Sequence, residues 1–238
     1  MKIALIGYGK MGKAIEEIAI KKGHEIVLKI DVNNLSDFTQ EKLSEADVAI
    51  EFTSPHTAFE NVKKCMEFRV PVICGSTGWL DKWNEIEAFC KEKDGTFLYA
   101  SNFSIGVNLF FEMNKYLAKL MNTYSDYNVS ITEIHHTQKK DAPSGTAITL
   151  AEQILANNSS KEKWINQPTE TNNELEIISE RIDPAPGTHT IKYSSTIDDI
   201  EITHTAHNRI GFASGAVLAA EFVVGKKGIF NMEDALGL

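Results

Sequence analysis

An apolar run, Lys2 to Ile6 (KIALI), ends in Gly7-Tyr8-Gly9-Lys10-Met11-Gly12, after which Met11, Ile15, Ile18 and Ala19 recur at helical spacing as far as Gly23. No other stretch restricts the fold as strongly. A segment apolar at almost every position suits a parallel strand buried on both faces, and the change of period across the glycines marks a strand–turn–helix. Residues 25–31 (EIVLKID) read as the next strand, with Gly23 as the helix stop, which closes a βαβ unit. In such a turn Gly7 suits the tight bend, Gly9 a close ligand approach and Gly12 helix–strand packing, while the helix start offers N–H groups to a pyrophosphate. Asp31 ends the second strand about twenty residues on, where an acid receives ribose hydroxyls. A ligand-free turn and a simple strand-end cap are the competing readings. The strand before, the helix after and the acid at the right distance favour a dinucleotide held by Gly7, Tyr8, Gly9, Lys10, Met11, Gly12 and Asp31.

The alternation continues. ADVAIEFT (46–53), VPVICGSTG (70–78) and TFLYASNFS (96–104) read as strands, separated by helices over about 56–68 and 81–93. This predicts an α/β fold of Rossmann type, a doubly wound parallel sheet. Ligands of such sheets lie at the carboxyl ends of the strands, so Phe52-Thr53, Gly75-Ser76-Thr77 and Ala100-Ser101-Asn102-Phe103 are expected to line the same crevice. The pattern then changes. An apolar helix over 105–122 leads to NVSITEIHH (128–136), which alternates like a half-buried strand, then a helix over 144–157 and a polar stretch. LEIISER, HTIKYSS and DDIEITHTAH follow as strands of a mixed or mainly antiparallel sheet, and FASGAVLAAEFVVGKKG is expected to be helical and to pack back on the first sheet. The expected division is 1–103 plus 211–238 for the dinucleotide-binding domain, and 104–210 for a second α+β domain for substrate binding and oligomerisation.

A net charge of -9 argues against partners that need a basic surface, so neither nucleic acid nor an anionic membrane is expected. No apolar run is long enough to span a bilayer, and the N-terminus does not read as a signal peptide. Cys65, Cys74 and Cys90 form no CxxC pair and no even framework, which fits buried thiols and a cytoplasmic location.

Against that acidic background, HHTQKKDAPSGTA (135–147) gathers His135, His136, Lys139 and Lys140 just before a helix entry with Ser144 as candidate N-cap. The N–H groups of Gly145 and Thr146 would lie at the positive end of that helix, so imidazoles, ammoniums and amides converge as an anionic substrate would require. A solvated lysine pair and an ordinary cap are the alternatives. A metal site is not expected, because no third ligand sits at a diagnostic spacing and HExxH is absent.

The segment from Glu133 to Ala147, EIHHTQKKDAPSGTA, resembles the signature of the 4-hydroxy-tetrahydrodipicolinate (dihydrodipicolinate) reductases of the diaminopimelate route to lysine. The resemblance runs through Gly7–Gly12, Gly75–Gly78, Ala100–Ser104, Pro186-Gly187-Thr188-His189 and the tail from Ile202 to Leu238. It implies hydride transfer from a nicotinamide to a cyclic imine dicarboxylate, followed by protonation. Lys139 is then the implied donor, His135 a donor or acceptor, His136 a carboxylate contact, and Gly145 with Thr146 the second carboxylate site. It also implies a homotetramer. The chain departs from the pattern in a shortened stretch between Asp31 and Phe52, in Gly-Ser-Thr-Gly for the commoner Gly-Thr-Thr-Gly, and in Lys10 where arginine is frequent. Asp31 repels a 2′-phosphate and Val32-Asn33-Asn34 offer no arginine, so NADH is favoured, while Lys29 and the asparagines leave NADPH open. Other nicotinamide enzymes such as amino-acid dehydrogenases, a non-catalytic nucleotide sensor, and a related reductase with another substrate stand as alternatives. His204 and His207 carry no assignment beyond a structural one.

Overall fold

A computed structural model describes residues 1–208 and 210–238. The chain divides into two compact units, Met1–Ile105 with Ile210–Leu238, and Gly106–Arg209. In the first unit the strands are β1 (Lys2–Ile6), β2 (Glu25–Ile30), β3 (Val48–Glu51), β4 (Val72–Cys74), β5 (Thr96–Tyr99) and β11 (Gly228–Phe230). They form one parallel sheet in the order β11-β5-β4-β3-β1-β2. Alternate residues of each strand enter opposite cores, as a sheet covered on both faces requires. Ala4, Ile6, Ala49, Val72 and Phe97 pack with α3 (Pro55–Glu67) and α4 (Trp83–Glu92). Ile3, Leu5, Val48, Ile50, Ile73 and Leu98 pack with α1 (Lys10–Lys21) and α7 (Ile210–Val223). Between β2 and β3 the chain makes only a 3-10 turn, Leu35–Asp37, and a single helical turn, α2 (Gln40–Leu43), in agreement with the shortened sequence there.

The second unit carries α5 (Ile105–Met121, its first residue in the first unit), β6 (Asn128–His135), α6 (Gly145–Asn157), β7 (Lys163–Ile165), β8 (Glu174–Arg181), β9 (Gly187–Ser194) and β10 (Asp199–Ala206). Its sheet runs β10-β9-β6-β8-β7, antiparallel on the β9 side of β6 and parallel on the β8 side. One face is apolar and is covered by α5 and α6, with Val129, Ile131, Leu175, Ile177, Ile191 and Tyr193 fully buried.

Two segments differ from the sequence expectation. The last helix stops at Val223, and Gly228–Phe230 becomes β11, hydrogen-bonded to β5 at the sheet edge, before the short α8 (Met232–Leu236). Three residues are too few to show a period, so their strand pairing is decided by the neighbouring edge. For the same reason β7 falls inside what reads as a polar stretch. Among the described residues no helix is long and apolar enough to cross a membrane, and Cys65, Cys74 and Cys90 are buried free thiols.

Candidate active site

Strand order reverses between β1 and β3, and the turns leaving these two strands face each other there. In the β1 turn Gly7 has φ +98° and donates its N–H to Ile30 O at 2.9 Å. A Cβ at Gly7 would meet Phe52 O at 2.1 Å, and one at Gly12 would meet Gly7 O at 2.3 Å, so both positions are closed to any larger residue. Gly9 caps α1 and faces open space. Two cavities adjoin at this edge. One of about 490 Å³ is lined by Gly9, Lys10, Met11, Phe52 and Gly75–Thr77, and one of about 440 Å³ by Gly7–Gly9, Asp31, Val32 and Phe52–Ser54. The opening, the crowded glycine bend and the acid at its rim fit a dinucleotide.

The remaining turn residues differ in what they present. Asp31 accepts hydrogen bonds on Oδ1 from the N–H and side-chain amide of Asn33, both at 3.0 Å. Ser76 is buried, with its Oγ accepting from Thr53 N–H at 2.8 Å, so it braces the turn, whereas Thr77 is exposed. Ala100 and Phe103 are buried core residues, Ser101 is exposed and Asn102 accepts from Ser104 N–H at 2.9 Å. Tyr8 donates its hydroxyl to Glu16, and Lys29 pairs with the same carboxylate at 2.5 Å, which engages the cation nearest Asp31 in sequence. Glu51, to which no sequence motif points, is buried under the Phe52-Thr53 turn, where it accepts from Thr53 N–H at 3.0 Å and from Cys74 Sγ at 3.0 Å.

In the second unit His135 is the last residue of β6 and is buried, while His136 lies half-buried just beyond the strand. His136 O accepts from Lys139 N–H at 3.1 Å, closing a tight turn. Lys139 holds both oxygens of Asp141 at 2.9 and 2.8 Å, and this bond keeps the Asp141 carboxyl below its ordinary value. Lys140 is exposed. Ser144 caps α6, accepting from Ala147 N–H at 3.2 Å; Gly145 is exposed with open space beside it, and Thr146 is half-buried.

Two residues to which the sequence alone assigns no role, Glu133 and His189, complete this end of the sheet. Register places His204 opposite His189, His189 opposite Glu133, and Glu133 opposite Ser179, a polar row across four strands. The adjacent row on the same face is Ile202, Ile191, Ile131 and Ile177. Glu133 is fully buried; Ser144 N–H donates to both its oxygens at 3.1 and 3.0 Å, Ser179 Oγ to Oε1 at 2.7 Å, and Arg181 to Oε1 at 3.4 Å. The sequence signal for Glu133 is its spacing: two residues before His135 in an alternating strand, it must share the buried face. His204 sits beside Phe110, with ring centroids 6.0 Å apart, and burial lowers its pKa; His207 is exposed. Glu133, His135 and His189 bring ligand-type atoms within 4.8 Å of one another, a proximity that sequence spacing does not reveal. The Arg181 guanidinium on the same carboxylate makes this a hydrogen-bonded network more readily than a cation site.

Burial works to raise the Glu133 pKa, but bonds from His135, His189, Ser144 and Ser179 outweigh it and hold the carboxyl well below its usual range. Burial lowers the pKa of His189, against the pull of Glu133. An unfolded histidine takes a proton near about 6.5 and the native ring does so only at lower pH, so stability falls as pH drops below that value. The Glu133 contribution is complete above about 4.3 and is lost as pH falls toward its depressed native value. The urea midpoint is expected to fall from pH 7.5 to pH 5, with a shallower slope in His189→Gln. Equal slopes in the two proteins would count against this reading.

A Rossmann sheet with a glycine bend at its switch point, followed by a mixed-sheet unit carrying a cationic loop, defines a nicotinamide-dependent oxidoreductase. Residues 1–103 match the family model described as dihydrodipicolinate reductase, N-terminus, and residues 106–236 the one described as dihydrodipicolinate reductase, C-terminus. The chain belongs to the dihydrodipicolinate reductase family. It is 51% identical over 241 residues to a 4-hydroxy-tetrahydrodipicolinate reductase of Christiangramia forsetii, covering 99% of this chain and 98% of that one. A protein of the same name from Methanoregula boonei is 34% identical, covering 100% and 98%. The fold superposes on a dipicolinate-bound dihydrodipicolinate reductase from Paenisporosarcina sp. TG-14 with a TM-score of 0.79 and 25% identity, covering 98% of each chain.

Proposed function

We propose that this chain reduces 4-hydroxy-tetrahydrodipicolinate to tetrahydrodipicolinate in the cytoplasmic diaminopimelate route to lysine. The near full-length 51% identity to a reductase of that name carries the reading. A bound reduced nicotinamide supplies the hydride. The first unit is the dinucleotide-binding domain: Gly7–Gly12 receive the pyrophosphate at the start of α1, Asp31 takes the ribose hydroxyls, and Gly75–Thr77 with Ala100–Phe103 border the nicotinamide side. The second unit is the substrate and tetramer-forming domain. There His136 takes one substrate carboxylate, and the start of α6, at Gly145 and Thr146, takes the other through the helix dipole. Lys139 delivers the proton, and His135 gives or accepts one beside it.

NADH is the preferred donor, because the Asp31 carboxylate repels a 2′-phosphate and Lys29 is engaged by Glu16. The test is a coupled assay in which pyruvate and aspartate semialdehyde pass through the partner synthase while loss of reduced-nicotinamide absorbance is followed. Turnover is expected with kcat/KM at least about tenfold higher for NADH than for NADPH, a difference of about 1.4 kcal/mol, and Asp31→Asn should narrow the ratio. Tight NADH binding without turnover would favour a nucleotide sensor. Equal rates with both donors would remove the Asp31 argument and leave the reaction standing.

A further inference from the structure

Glu133 lies in the proposed site but takes no part in the chemistry of hydride or proton transfer described above. Its side chain has no solvent contact, and three strands and a helix start converge on it. Ser179 and Arg181 from β8 take Oε1, while Oε2, which also accepts from the Ser144 N–H at 3.0 Å, has two imidazoles beside it: His135 Nε2 at 3.5 Å and His189 Nε2 at 3.6 Å. Those nitrogens are 3.3 Å apart with the rings at 71°, and His189 Nε2 also lies 3.0 Å from Ser144 Oγ. The His135 ring also rests on Gly187, where a Cβ would come within 2.9 Å of Cε1. The ring is thus bounded by the Gly187 backbone and, at Nε2, by Glu133 and His189. An apolar residue continuing the isoleucine row would fill this position without the cost of burying a charge. A fixed partner that orients the ring explains the carboxylate better than packing does.

We propose that Glu133 is a positioning residue for the reduction: together with His189 it fixes the orientation of the His135 ring. The inference rests on the function proposed above. Glu133 moves no proton itself; it stays ionised and orients the ring that does, as the carboxylate of a hydrolytic triad orients its histidine. Among the described residues, the charged and titratable groups facing His135 and His189 are Glu133 on β6, Arg181 on β8, His204 on β10, and Lys139 and Asp141 in the loop; α6 presents the Ser144 cap.

Glu133→Gln retains the size and most acceptor contacts but removes the charge. With NADH in the coupled assay, kcat is expected to fall about 10- to 100-fold while KM and dipicolinate affinity stay within about threefold. His189→Gln, whose amide nitrogen replaces Nε2, should keep most of the turnover that His189→Leu loses. Activity lost only in proportion to folded protein, with kcat per folded enzyme unchanged, would overturn the proposal. If Glu133→Gln does not fold, the His189 pair decides, and equal losses in both variants overturn it. Absence of turnover in the wild type would instead sink the proposed function. In that event ¹⁵N spectra of the histidine rings, compared between wild type and Glu133→Gln near pH 7, still test the positioning claim, and identical His135 signals reject it.

Discussion

Replacement of Lys139 by alanine is expected to lower kcat about 10³-fold, the range over which a single positioned proton donor acts, with NADH affinity unchanged. Lys139 is held by both oxygens of Asp141 in a loop whose backbone is closed by the His136 turn, so its ammonium is directed by covalent neighbours and by one carboxylate. The Asp141 side chain is largely exposed, and loss of this ion pair should cost little stability. Lys139→Arg separates the two roles that the lysine could play. Arginine keeps the positive charge and a partner for Asp141 but does not release a proton at working pH. If Lys139→Arg turns over as slowly as Lys139→Ala, the lysine acts as the acid. If arginine restores turnover, the residue is an anchor for substrate charge, and His135 must supply the proton.

The largest structural effect is expected far from that loop in the chain, at Gly215 in α7. A Cβ there would stand 1.7 Å from the carbonyl oxygen of Phe103 and 2.8 Å from its carbonyl carbon. Both contacts are backbone, so no side chain can rotate away, and the helix must lift from the Ala100–Phe103 turn that follows β5. Gly215→Ala should lose about 3 kcal/mol, which corresponds to roughly 6–12 °C in the thermal midpoint of a chain this size. Gly211→Ala, in the same helix, provides the contrast: its Cβ would meet only Ser104, with Oγ at 3.4 Å, and the midpoint should hold or rise slightly. Parallel melting curves of the two variants decide the matter. Similar midpoints would mean that α7 packs less closely on the turn than these distances state.

Much of the molecule is legible in the amino-acid sequence, because the signals concerned are local. The burial of KIALI on both sides, the bend at Gly7–Gly12, the cap at Ser144 and the alternation through β6 each occupy one element, and the forces that select them act over a few residues. The same holds for the weak element between β2 and β3, where the chain is too short for a full helix. The three-residue strands β7 and β11 are a different case from the equally short β4, which lies in an apolar run. They have no period of their own, and their state follows from the edge beside them.

Residue chemistry divides in the same way. His135, His136, Lys139, Gly145 and Thr146 lie within one continuous segment, so their chemistry is visible together. Glu133 belongs to that segment as well; its spacing puts it on the face of His135, but its type argues against burial, because an acid in a strand is more often solvated. Its partners arrive from elsewhere: Ser179 and Arg181 are 46 and 48 residues along the chain, and His189 enters from β9. The dinucleotide bend, the alternation of strand and helix, the family signature and the cationic loop are therefore properties of contiguous residues. The single row of His204, His189, Glu133 and Ser179, the isoleucine row beside it, and the seat of the His135 ring on Gly187 exist only once the strands have paired. The physical reason is register. Hydrogen bonding between strands distant in sequence sets which side chains stand opposite each other, and no periodicity within a single strand contains that information.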